Sequence, residues 1–327
     1  MKVCVYEEYG PPEVLQLKEV EKPTPKNNEV LIKTRATTVT SGDWRVRSLN
    51  VPTGFGLIIR LVLGVSRPKQ PILGTELAGV VESVGKDVRK FKVGDQVFAF
   101  SDAAMGCYAE YKCMREDGAV ALKPANLTFD EAAALSFGGI TALDFFKRGK
   151  LQSGERVLVN GASGGVGTAA VQLARHFGAD VTGVCSTANF ELVRSLGASH
   201  VIDYTQEDFT QNGETYDVIV DTAGTAPFSR SKGSLNDNGR LLMVLAGLPD
   251  MLRSPWVSMP SSKKAIAGPV AAGRAEDLRF LAGLAEAGEF KPVIDRRYPF
   301  ERIAEAHRYV DTGRKKGNVV ITMGHDR

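Results

Sequence analysis

The sequence predicts an α/β chain in two parts: a β-rich, barrel-like unit followed by a doubly wound parallel sheet. Three observations carry that prediction. Residues 1–125 hold short β-rich runs cut by Pro/Gly turns. From residue 126 strands and helices alternate, the pattern of a parallel sheet covered on both faces. Between the first strand and helix of that alternation lies a glycine-rich turn, in VLVNGASGGVGTAAVQLA at 157–174.

The elements follow in order. β-rich runs at 2–6, 30–36, 79–84, 96–100 and 108–113 are separated by turns such as YGPPE, KPTPKN and KVGDQ. Residues 39–65 break the pattern, because GDWRVRSL and GLIIRLVLGV read as helix or loop and belong on the surface of that unit or over a cleft. At 126 the character changes. Thr128 is a candidate N-cap with Glu131 three residues on, the spacing of a capping box. Strands are expected at Arg156–Asn160, Asp180–Cys185, His200–Asp203, Tyr216–Asp221 and 240–245, with helices starting near Gly165, Asn189 and Pro227. Glycines in HFG and SLG end two of those helices. Beyond 266 come a helix over 274–288, an amphipathic helix over 300–310 and a closing strand at 318–323. These either extend the second sheet or return to the first unit.

Composition excludes several classes. The chain has 327 residues, enough for two domains, with 43% hydrophobic and 24% charged residues, as in ordinary globular proteins. The net charge of +3 is dispersed, and the run Arg314-Lys315-Lys316 is too short to argue for nucleic acid. MKVCVYEEYGPPE has no apolar core of a targeting signal. The longest apolar run, 54–65, is broken by Arg60 and falls short of the ~20 residues of a membrane span. A cytoplasmic chain with no nucleic-acid or membrane partner is therefore expected. Cys4, Cys107, Cys113 and Cys185 form no C-x-x-C pair and have no histidine at ligand spacing, so the cysteines are expected to carry no chemistry.

The glycine turn reads in two frames. GASGG places Ser163 in G-x-S-x-G, the elbow of a hydrolase nucleophile. ASGGVG is A-x-G-x-x-G, close to the dinucleotide fingerprint. In the second frame Ala162 allows the tight turn, Gly164 lets the backbone approach a pyrophosphate, and Gly167 packs helix on strand. Gly161 and Gly165 relax the loop, and Ser163 and Val166 complete it. The helix opening at Gly165 points its free N–H groups at the phosphates. The hydrolase frame needs an acid and then a histidine downstream, an order that Asp221 and His307 satisfy. It also needs parallel strands before the elbow and an oxyanion loop, and neither is present. His307 reads as a helix-surface residue. Tyr108 and Lys112 in YAEYK match Y-x-x-x-K, but the pair precedes the glycine turn and lies on an expected strand, where it does not form the one-turn helical pair that this motif requires.

A dinucleotide site that takes NAD has an acid about 20 residues past the glycines. Here that stretch offers Ser186, Thr187 and Asn189, hydroxyls and an amide that can donate to a 2′-phosphate, with Arg194 a turn further on. NADPH is therefore expected over NADH. The same residues could simply cap the next helix.

PILGTELAGVVESVGKDVRKFKVGDQVFAF, FGGITALDFFKRGKLQSGERVLVNGASGGVG, VIVDTAG and KKGNVVI together resemble the quinone oxidoreductases of the medium-chain dehydrogenase/reductase superfamily, over essentially the whole chain. The resemblance implies a Rossmann domain at 126–266 inserted in a GroES-like β-barrel catalytic domain made of 1–125 and 267–327, a cleft at their junction, and a homodimer. It places Thr40, Asp43 and Trp44 near the nicotinamide as catalytic residues, with Thr141 beneath it and Tyr204 and Asn318 on the cofactor side. Thr40 and Thr75 stand where zinc-dependent relatives carry Cys and His, which implies a zinc-free chemistry. Hydride given to a quinone or an enone needs only hydrogen-bond donors at a distant oxygen, whereas an alkoxide needs a Lewis acid. The expected activity is NADPH-dependent reduction of quinones or α,β-unsaturated carbonyls. An enoyl-thioester reductase and an NADPH-binding sensor with little turnover are the alternatives.

Overall fold

A computed structural model describes residues 1–258, 262–269 and 273–324. The chain divides into two units: Met1–Val51 with Gly56–Phe137 and Ala272–Arg327, and Pro52–Phe55 with Gly138–Ala271. The division falls later than the expected 125/126 boundary. The reason is the short helix Phe129–Ala133, which has the expected Thr128/Glu131 capping box but packs on strands Glu29–Val39 and Glu76–Val84 of the first unit.

The first unit is built around Glu29–Val39. This strand is long because Val30, Leu31 and Ile32 and then Ala36 and Val39 are all buried. It pairs with Glu76–Val84, Tyr111–Arg115 and Asn318–Thr322. The full sheet runs Ile294–Pro299, Asn318–Thr322, Glu29–Val39, Glu76–Val84, Gln96–Phe100, Val120–Leu122, with Tyr111–Arg115 added on the central strand. The C-terminal strand therefore returns to the β unit. Leu15–Glu19, Val120–Leu122 and Ile294–Pro299 are strands that the sequence patterns do not announce. The first of these pairs antiparallel with Lys2–Tyr6. The 39–65 region forms two helices, Ser41–Ser48 and Gly56–Leu63, and no residue of the second is buried.

In the second unit six strands lie parallel in the order His200–Asp203, Asp180–Cys185, Arg156–Asn160, Tyr216–Asp221, Leu235–Met243, Lys264–Ile266. Val157, Leu158, Val159, Ile219 and Val220 are fully buried, as both faces of such a sheet are covered. Strand order reverses at Arg156–Asn160, with the second strand on one side and the fourth on the other. Ligands of doubly wound sheets bind at the carboxyl ends of strands at such a point. Among the described residues, no helix is long and apolar enough to cross a membrane.

Candidate functional site

The turn after Arg156–Asn160 has the geometry that its glycines predict. Gly161 takes φ +83, and a Cβ there would lie 2.7 Å from Thr222 Oγ1. A Cβ on Gly167 would lie 2.0 Å from the Gly161 carbonyl oxygen, so only glycine lets helix Gly165–His176 pack this closely on the strand. Ala162 is fully buried, and its N–H and that of Gly161 donate to the Val184 carbonyl. Gly164 is the N-cap and supplies no side-chain cap, which leaves the first N–H groups of the helix, at Gly165 and Val166, without a side-chain acceptor. Uncapped donors at the positive end of a helix dipole suit an anion.

Around this turn stand the residues expected to read the ribose. The Asn189 amide donates to Ser163 Oγ and to Ser186 Oγ, each at 3.2 Å, while its own Oδ1 is buried without a partner. Ser163 is thus a turn residue held by an amide, and no base is among its recorded partners. Asp221 belongs to a different turn, accepting from Asn160 Nδ2 and from the N–H groups of Gly224 and Ala226. Tyr204 is exposed and Thr141 is buried.

Thr187 departs from its expected role. Its hydroxyl and N–H both donate to Asp203, which also accepts from the N–H and hydroxyl of Thr205. Those hydrogen bonds pull the Asp203 carboxyl down to about 2. The Thr187 hydroxyl is therefore already donated within the protein and is no longer available to a phosphate. The sequence window past the glycines shows no acid because this one comes from the end of the neighbouring strand.

In the first unit, Thr40 and Asp43 form a capping box on helix Ser41–Ser48. The Asp43 carboxylate accepts from Thr40 N–H at 2.8 Å, from Thr40 Oγ1 at 2.6 Å and from Gly74 N–H at 3.0 Å. The spacing T-x-x-D before a helix signals this arrangement. Burial raises the Asp43 carboxyl to about 6 even so. Trp44 is half-buried against the barrel core, and the Arg45 guanidinium lies 4.8 Å from its ring. Asn318 donates its amide to the Val293 carbonyl at 3.1 Å, and so ties down barrel backbone.

His307 is not a surface residue. It is fully buried, with Nε2 3.1 Å from the Tyr108 hydroxyl, and that hydroxyl is itself beside Asp43. Burial, then the nearby Arg47 charge, push its pKa well below the ordinary histidine value. Tyr108 thus belongs to a buried polar core and not to a catalytic Tyr-Lys pair.

Residues 26–124 match the family described as "Alcohol dehydrogenase GroES-like domain", and residues 196–321 the one described as "Zinc-binding dehydrogenase". The "Chloroplast envelope quinone oxidoreductase homolog" of Arabidopsis thaliana is 33% identical over 98% of this chain and 98% of that protein. An "NADPH-dependent alkenal/one oxidoreductase, chloroplastic" of the same plant is 32% identical over 98% of this chain and 79% of that protein. The solved quinone oxidoreductase of Coxiella burnetii superposes with a TM-score of 0.84 at 27% identity, over 98% of this chain and 99% of that one. The chain belongs to the quinone oxidoreductase-like group of the medium-chain dehydrogenase/reductase superfamily.

Zinc, named in one of those family descriptions, does not fit this member. Among the described residues no group of three or more His, Cys, Asp or Glu is arranged to hold a metal. The Thr40 hydroxyl is donated to Asp43, and Thr75 offers only a neutral hydroxyl. A nicotinamide dinucleotide does fit, on the glycine cradle, the uncapped helix start and the orphaned Asn189 oxygen.

Glu76, next to Thr75, went unassigned by sequence reading, although an acid opening an otherwise apolar strand is its signal. It is fully buried, accepts from the Thr38 hydroxyl and the Phe137 N–H, and faces the half-buried Lys315. Burial raises its carboxyl to about 7 from 4.5. Burial also lowers Lys315 to about 8, against the pull of Glu76. A raised folded-state value means that the stability Glu76 contributes is full below pH 4.5 and is lost as pH rises through about 7. Urea unfolding of the wild type should show that decline, and Glu76→Gln should flatten its upper part. An unchanged pH slope in the variant would contradict this reading of Glu76.

Proposed function

We propose that this chain is an NADPH-dependent reductase of quinones or α,β-unsaturated carbonyls that works without zinc. The observation that carries the proposal is the cradle Gly161–Gly167, closed on an uncapped helix start at the switch point of the sheet. The two plant and bacterial quinone oxidoreductase relatives and the alkenal/one oxidoreductase support the substrate class. Bound at the cradle, a nicotinamide supplies the hydride.

The protein's part is to bind and orient. Gly161–Gly167 hold the pyrophosphate, the Ser163 and Ser186 hydroxyls are left to donate to the ribose phosphate, and Asn189, whose amide hydrogens go to those two oxygens, orients them. Asp203 is saturated by its own donors and keeps Thr187 in place. In the barrel unit, Thr40 and Asp43 act as positioning residues that fix the start of helix Ser41–Ser48, and Trp44 offers an aromatic face to the acceptor. The same reading takes the protein as a cytoplasmic homodimer, which light scattering would check for assembly.

The test is NADPH oxidation, followed by its near-ultraviolet absorbance, with chelator-treated protein and a panel of quinones, enones and aldehydes. Turnover of a quinone or enone, faster with NADPH than NADH and indifferent to chelator, is the expected result. Turnover that needs added zinc would overturn it. NADPH binding without turnover would favour the second reading, a nucleotide sensor, for which one observation speaks: the Thr40 hydroxyl is committed to Asp43 and not free to donate outward.

The nucleotide preference has its own test. Asn189→Asp places a carboxylate beside the ribose, where it repels a 2′-phosphate and suits a free hydroxyl. NADPH affinity should fall by about tenfold, roughly 1.4 kcal/mol, while NADH affinity holds or improves. Equal losses for both nucleotides would show that Asn189 does not read the phosphate.

A further inference from the structure

Helix Gly56–Leu63, sequence GLIIRLVL, is the most apolar exposed element described. Leu57, Ile58, Leu61 and Val62 are 71%, 43%, 59% and 62% exposed, and Val65 just beyond it is 60% exposed. At 100° per residue the four helical side chains lie on one face, and Val65 follows past the positive-φ Gly64. Ile59 and Leu63 point the other way and are half-buried, Leu63 packing against the barrel core. Among the described residues the outer face has no partner, which is unusual for so contiguous a set of large side chains. The hydrogen bond from the Tyr9 hydroxyl to the Gly64 carbonyl at 2.9 Å ties the end of the helix to the barrel.

The charge around the helix is one-sided. Between Asp43 and Glu76 the chain carries Arg45, Arg47, Arg60, Arg67 and Lys69 and no acidic residue. Arg47 is buried, but Arg60, Arg67 and Lys69 are exposed on or just after the helix. Lys69 and Arg60 bend back to it, donating to the Leu61 and Val65 carbonyls. The acids beside the group are Glu7 and Glu8, which line one pocket with Arg67; the Glu7 carboxyl is held below its usual range first by Lys18 and in smaller part by Arg67. The helix segment itself thus carries exposed cations and no carboxylate.

An apolar face flanked by long cationic side chains matches an interfacial helix, with leucines in the acyl boundary and cations at the headgroups. We infer that helix Gly56–Leu63 docks the protein on an anionic lipid surface. A second copy of the chain is disfavoured as occupant because two such faces would bring like charges together. A bilayer supplies both the apolar layer and the negative charge. This goes beyond the reductase reading, and it departs from the sequence expectation of no membrane partner.

The full chain is mixed with sedimenting vesicles of phosphatidylcholine alone or with about a third phosphatidylglycerol. Binding to the anionic vesicles, weaker with salt and on neutral vesicles, is expected. Leu57→Ser with Leu61→Ser should lower the partition coefficient by at least roughly tenfold. Val93→Ser, at an equally exposed valine elsewhere, should leave it unchanged. Absence of wild-type binding, or equal binding by the double variant, would overturn the inference. So would a wild-type dimer by light scattering that the double variant abolishes, which would assign the face to a second copy. Reduction of a water-soluble quinone in the same samples reports separately on the enzymatic reading.

Discussion

Gly167→Ala will lose both stability and nucleotide binding, whereas Gly164→Ala will lose binding alone. A Cβ on Gly167 lies 2.0 Å from the Gly161 carbonyl oxygen and 2.9 Å from the Ala162 carbonyl carbon, so backbone must move. Overpacking of this kind costs roughly 1–3 kcal/mol. Any shift of the helix also carries its N–H groups away from the phosphates, and binding should weaken by about tenfold to a hundredfold. Gly164 differs. Its φ of −80 and ψ of 176 suit any residue, and its Cβ would sit 3.5 Å from the same oxygen, an ordinary contact. Alanine there keeps the fold but places a methyl where the backbone is proposed to approach the pyrophosphate. Thermal unfolding and NADPH titration of both variants decide the matter. If Gly164→Ala binds NADPH as the wild type does, the phosphates do not lie against that residue.

Asp311→Ala is expected to destabilise the first unit by about 2–3 kcal/mol, more than Arg47→Met does. The Arg47 side chain is completely buried, and its one recorded ion pair is to Asp311 at 2.6 Å, a residue 26% exposed. Its Nε and Nη1 have no hydrogen-bond partner. Removing Asp311 leaves a charge in the interior beside neutral His307, with no other carboxylate at hydrogen-bond distance among the described residues. Replacing the arginine by methionine keeps volume and removes the charge. The partial exposure of Asp311 moderates the figure, since water reaches its side of the pair. Urea unfolding of the two single variants gives the comparison. An Asp311→Ala cost no larger than that of Arg47→Met would mean that the guanidinium is compensated elsewhere.

What could be read from sequence was local. The turn Gly161–Gly167, the Thr128/Glu131 box and four of the six parallel strands each follow from residues within a few positions of one another. The fifth, Leu235–Met243, was found but with its start misplaced, because Asn236, Asp237 and Asn238 look like a turn. Thr40 with Asp43 is equally local, a T-x-x-D cap at the start of helix Ser41–Ser48. The remaining features join residues far apart in sequence: Asp203 to Thr187, His307 to Tyr108, Glu76 to Lys315, Arg47 to Asp311. Whether a charged side chain is buried depends on which strands become neighbours, and hydropathy along the chain does not contain that. Helix Gly56–Leu63 is legible by its place in the chain: the run that interrupts the β pattern is expected on the surface or over a cleft, and none of its residues is buried.

The long strand Glu29–Val39 also dictates an order of assembly. Val39 pairs with Val319, so a segment made early waits for one made much later in the chain. The strands of the parallel sheet find all their partners between residues 156 and 266 and can form while the barrel is still open. Closing so long a loop is slow. Meanwhile the central strand offers a bare edge to any other unfinished chain. Deleting the strand Asn318–Thr322 would therefore surface as aggregated protein, whatever became of the nucleotide cradle.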